Sequence, residues 1–165
     1  MNIEEKIEYL RRALPAFDKK VMYDVDNRGN EFCEIIYPNE KQPSMPIAVS
    51  VSDEGCLISV GQIADVVGSS PITVDQAISA IGDIISDKII FVLGFADGDD
   101  IGFGAPFFTQ IFPITGEEDD MSEELEAFVK KIEAPLSKWK RKLTRFKGRF
   151  VITNFSGSEN RVIFR

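Results

Sequence analysis

The chain has 165 residues, 44% of them hydrophobic, and a net charge of −8 from 27 acidic and 19 basic side chains. A chain of this length buries roughly 70% of the surface its unfolded form exposes, so a core can form without disulfides or structural metal. Histidine is absent, which excludes Ser-His and Cys-His nucleophile pairs and the imidazole-bound zinc sites.

Residues 2–14 set Ile3, Ile7, Leu10 and Leu14 on one helical face, with Glu4, Glu5, Glu8, Arg11 and Arg12 on the others, and Pro15 ends the pattern. This segment lacks the basic-then-apolar layout of a signal peptide. Runs such as Ile89 to Leu93 are far short of the ~20 apolar residues of a membrane helix, and a cytoplasmic location is the expectation. Val21, Tyr23 and Val25 alternate with polar residues, Asn27-Arg28-Gly29-Asn30 supplies a turn, and Glu31 to Tyr37 resumes a strand, which makes a hairpin.

After a loop marked by Pro38, Pro43 and Pro46, Ile47, Val49 and Val51 alternate up to Asp53-Glu54-Gly55, and Cys56 to Val60 returns as a second hairpin. Cys33 and Cys56 fall in strands and are expected to be reduced, half-buried thiols. Gly61 to Gly68 suits a short helical turn and an irregular connection equally. Val74, Ala77, Ile78, Ile81, Ile84 and Ile85 form one apolar stripe at the helical period. The start of this helix is signalled by Ser70-Pro71 and by the Thr73 to Gln76 capping-box spacing.

Ile89 to Phe95 is apolar on both faces and reads as a fully buried strand. An acidic, glycine-rich loop from Ala96 to Gly104 leads to a strand at Pro106 to Ile114. Glu117-Glu118-Asp119-Asp120 opens a last long helix carrying Leu125, Phe128, Val129, Ile132, Leu136, Trp139 and Leu143, in which Pro135 predicts a kink or two abutting helices. Phe150 to Phe155 and Arg161 to Phe164 close the chain as a hairpin.

Strands cluster in hairpins instead of alternating singly with helices. The expectation is therefore an α+β fold over residues 1–165 as a single domain, an antiparallel sheet built largely from hairpins with three helices packed mainly on one face.

The sequence offers no cofactor or metal motif. Asp97-Gly98-Asp99-Asp100-Ile101-Gly102 superficially suggests a calcium loop, but Ile101 and Phe108 stand where ligand oxygens are required. Gly102-Phe103-Gly104 lacks the third glycine and the following helix of a dinucleotide site. With no histidine and two cysteines far apart in sequence, no transition-metal site is expected.

Charge is segregated. Residues 138–165 hold nine Lys or Arg and one acidic residue, whereas the rest of the chain holds ten and 26. Lys138, Lys140, Arg141, Lys142 and Arg145 lead this basic segment and form a candidate electrostatic contact, although an acidic body opposes approach of nucleic acid. Aromatics crowd one region. Phe103, Phe107 and Phe108 follow Asp97, Asp99 and Asp100, a candidate surface that joins apolar anchors to steering charge.

The functional expectation is a non-catalytic, cytoplasmic protein-binding or regulatory domain whose partner is a protein with a basic surface or a second copy of the chain. At the level of fold alone, the element order and acidic balance resemble those of small bacterial secretion chaperones and toxin-immunity proteins. The alternatives are a carboxylate-based enzyme for a small cationic or neutral substrate and a nucleic-acid binder using residues 138–149.

Overall fold

A computed structural model describes residues 1–18, 21–26, 29–96, 106, 108–113, 123–133, 148–158 and 160–164. The fold is α+β, with three helices and two antiparallel four-stranded sheets among the described residues. Within the span read as one domain, two compact units are distinguishable, Met1–Ile85 and Ser86–Arg165. No helix among the described residues is long and apolar enough to cross a membrane.

The first unit is a helix, a four-stranded meander and a second helix. Helix α1 (Ile3–Ala13) starts at Asn2, whose side chain accepts from the Glu5 backbone N–H while the Glu5 carboxylate accepts from the Asn2 N–H, a reciprocal capping box. Strands β1 (Val21–Val25), β2 (Glu31–Tyr37), β3 (Ile47–Ser52) and β4 (Cys56–Val60) pair in sequence order, all antiparallel.

Their period-2 pattern gives the sheet one apolar face. Cys33 and Ile35 of β2, Ile47, Val49 and Val51 of β3, and Cys56, Ile58 and Val60 of β4 are buried on it. Helix α2 (Val74–Ile85) supplies Val74, Ala77, Ile81 and Ile84, and α1 supplies Ile7 and Leu10. Fully burying an Ile, Leu or Val side chain stabilises by about 1.5–3 kcal/mol, so this one-sided packing sets the register.

Thr73 caps α2, its hydroxyl accepting from the Gln76 N–H while Gln76 Oε1 accepts from the Thr73 N–H. The capping-box signal thus marks the helix start, and Ser70-Pro71 lies ahead of it. Residues 61–68 form an irregular connection, with Gly61 at φ 57° and Asp65 at φ 55°.

The second unit is built round β5 (Ile89–Ala96), which pairs with β6 (Phe108–Pro113) on one side and β7 (Gly148–Thr153) on the other, while β8 (Arg161–Phe164) pairs with β7. β5 is buried on both faces, as its unbroken apolar run predicts: Ile90 and Val92 on one, Phe91, Leu93 and Phe95 on the other.

Helix α3 (Glu123–Glu133) lies against the first of these faces, where Leu125 and Val129 join Ile90, Val92, Phe112, Phe150 and Ile152. The expected continuation of this helix past Pro135 lies outside the described residues. Asp87, at φ 58° in the turn before β5, accepts the Ser156 N–H at 2.8 Å and ties that turn to the β7–β8 connection.

Candidate functional site

The open face of the first sheet carries the alternate residues of the same strands. The pairing sets Glu34 of β2 opposite Ser50 of β3 and Ser50 opposite Leu57 of β4, while Phe32 faces Ser52. Two small serines on a central strand, flanked by a phenylalanine and a leucine, leave a depression. It forms a shallow concavity of about 630 Å³, with Phe32, Ser50, Ser52 and Leu57 at its floor and Pro71 beside them.

Three exposed carboxylates stand round it: Asp26 from the β1–β2 end, and Asp53 and Glu54 from the β3–β4 turn. The floor is half-buried.

The turns that carry this rim are pinned. At one end Asp26 accepts the Asn30 N–H at 2.8 Å through one carboxylate oxygen and the Asn30 side-chain amide at 3.0 Å through the other. At the other end Ser52 and Gly55 exchange backbone hydrogen bonds round Asp53 and Glu54. Lys6 of α1 is buried, and its Nζ donates to the carbonyls of Ser52 at 2.6 Å and Asp53 at 2.8 Å. The rim carboxylates are therefore held on a turn whose backbone is clamped from the helix side.

Beneath the concavity lie both cysteines. Cys33 and Cys56 are opposite Val51 from its two sides, so one strand separates them. Two strand spacings come to about 10 Å, too far for a disulfide. Both thiols are free, and both are fully buried where the sequence suggested half-burial, because the apolar faces of α1 and α2 close over this face of the sheet.

Burial pushes the Cys56 thiol from 9.0 up to about 11, with the Lys6 ammonium pulling weakly the other way, and burial followed by the charge of Glu4 raises Cys33. Below pH 9 the Cys56 thiol is protonated in both the folded and the unfolded chain and contributes no pH dependence. Between about pH 9 and 11 the unfolded chain releases this proton while the folded chain keeps it, so stability falls as pH rises through that window, by roughly 2–3 kcal/mol.

Denaturant unfolding of the parent and of Cys56→Val across pH 7–11 checks this. The parent should lose stability relative to the variant only above pH 9, and parallel curves would reject it.

Of the residues expected to form a binding surface, only Phe108 falls among the described ones. It is half-buried, stacked on Phe128 of α3 at a centroid distance of 5.5 Å and edge-on to Phe150 at 5.9 Å, so its ring serves the packing of α3 on the second sheet. Asp97, Asp99, Asp100, Phe103 and Phe107 lie outside the described residues, as do Lys138, Lys140, Arg141, Lys142 and Arg145.

The concavity is a site that sequence reading missed. Its signal was the pair of small polar positions, Ser50 and Ser52, on a strand whose neighbours carry large residues at the same level. Among the described residues no group of three or more Cys, Asp or Glu side chains is placed to hold a metal ion. The chain matches no protein-family model, no curated protein and no solved structure.

Proposed function

We propose that the chain is a non-catalytic, cytoplasmic protein-binding domain, and that the open face of the first sheet receives a partner segment carrying basic and apolar side chains. The observation that carries this reading is the arrangement of the concavity, in which Phe32 and Leu57 flank two serines on a floor rimmed by the exposed carboxylates of Asp26, Asp53 and Glu54. Protein interfaces combine such a desolvated centre with a polar rim, and rim charge steers the encounter. Carboxylate catalysis has less support, since a general acid works from a carboxyl shielded from water and these three face solvent.

The test is a titration of isotopically labelled full-length protein with two peptides of equal positive charge, one alternating Arg with Leu and one alternating Arg with Ser. The Arg-Leu peptide should shift the amide signals of Phe32, Ser50, Ser52 and Leu57 saturably. It should bind several-fold more weakly at 0.5 M salt, because exposed charges are screened within ~3–4 Å there. Equal responses to the two peptides, or shifts centred elsewhere, would reject this face as the site.

A further inference from the structure

The two edges of the first sheet are treated differently by the chain. On the β4 edge, Cys56 exchanges both backbone hydrogen bonds with Ile72, the Val60 N–H is taken by Ile63, and the Ile58 carbonyl accepts from Val66, so residues 63–72 close that side. Among the described residues, no strand or connection pairs with the outer edge of β1.

All of its residues but the half-buried Val21 are exposed, although three of the five are apolar at alternate positions on the helix-side face: Val21, Tyr23 (68% exposed) and Val25 (55%) sit opposite Ile35, Cys33 and Glu31. Because the Asp26 N–H bonds across to Asn30, the strand alternation turns the peptide groups of Val21, Tyr23 and Val25 outward. The Val25 N–H is met only locally, by the Asp24 carboxylate at 2.8 Å. Natural edge strands are commonly blunted by lysine, proline or a covering segment, and β1 itself carries neither residue.

We propose that β1 is a self-association edge, through which two copies of the chain pair antiparallel about a two-fold axis at Tyr23 and join two four-stranded sheets into one of eight strands. The occupant follows from the symmetry of the sequence. Val-Met-Tyr-Asp-Val is nearly palindromic about Tyr23, so the two-fold sets Tyr23 against Tyr23 and Val21 against Val25, each an outward-facing pair able to exchange two hydrogen bonds.

The paired apolar side chains extend the face already formed by Cys33 and Ile35. Asp24 acts as a guard, since its carboxylate must release the Val25 N–H before a second strand can take it. This edge is independent of the concavity and stands or falls separately from the proposed function.

Sedimentation of the full chain over a concentration series should show a monomer passing towards twice the chain mass, with an affinity of order micromolar or weaker for so small a contact. Asp24→Ala should lower the half-association concentration about fivefold or more, the equivalent of one guarded hydrogen bond released in each copy.

Disulfide trapping fixes the register. Tyr23→Cys should cross-link with itself, and Val21→Cys mixed with Val25→Cys should form a mixed dimer. Neither of the last two should cross-link alone, because each then lies four residues from its own copy, about 13 Å. Cys33 and Cys56 are buried and do not compete.

A chain that stays monomeric across the series and fails to trap overturns the proposal and leaves the edge to an extended strand of another protein. Equal trapping of all single variants overturns the register.

Discussion

Lys6→Met is expected to destabilise the Met1–Ile85 unit by about 2–3 kcal/mol while preserving its fold. Methionine keeps most of the volume of the stem but removes an ammonium that is bonded to two main-chain carbonyls, of Ser52 and Asp53, from a residue only 7% exposed. Hydrogen bonds from a charged donor contribute about 1.5–3 kcal/mol each. The sum is offset in part because the variant no longer desolvates a charge and because carbonyls at a turn regain some water.

The loss should appear as a lower urea midpoint by circular dichroism, together with weaker binding of the Arg-Leu peptide, since Asp53 and Glu54 ride on the turn that Lys6 clamps. A variant within about 0.5 kcal/mol of the parent would show that the clamp is not a net stabiliser.

Lys6 also illustrates what a sequence conceals. It stands three residues after Ile3 and four before Leu10, on the flank of the apolar stripe of α1, where the bland reading is a solvated lysine. Its burial depends on the β3–β4 turn, 46 residues away, arriving with two carbonyls unpaired.

Local signals fared better. The alternation of Ile47, Val49 and Val51, the stripe of α2 and the two-sided apolar run of β5 are periodic patterns that local sterics and burial convert directly into elements. The alternation of Val21, Tyr23 and Val25 is indistinguishable from that of β3, yet one strand is central and the other an open edge, because pairing order is decided by distant segments. For the same reason the hairpins read as one sheet fall into two. The concavity became visible only when the register aligned Ser50 with Leu57, a relation that no window along the chain contains.

The β3–β4 turn is also where a single methyl group should do great harm. Gly55 adopts φ +150°, and a Cβ built there would stand 2.5 Å from the Ile72 carbonyl oxygen and 3.1 Å from the Pro71 Cβ. That oxygen cannot withdraw freely, because it accepts the Cys56 N–H at 2.8 Å while the Ile72 N–H donates to the Cys56 carbonyl at 2.9 Å, the bridge that closes the β4 edge. Gly55→Ala must therefore hold a backbone conformation costing about 1–3 kcal/mol and, to relieve the clash, open the bridge and forfeit two hydrogen bonds of about 0.5–1.5 kcal/mol each.

A loss of about 3–5 kcal/mol follows, with the Asp53-Glu54 rim displaced. Gly29, at the opposite end of the concavity, separates the two causes. Its φ is +84°, but a Cβ there would meet nothing within 4 Å, so Gly29→Ala carries the conformational cost alone, about 1–2 kcal/mol. Denaturant unfolding of the two variants side by side should show Gly55→Ala the less stable by about 2 kcal/mol. Equal losses would mean that the Pro71-Ile72 segment yields readily, and that the β4 edge is held closed by something other than its bridge to Ile72.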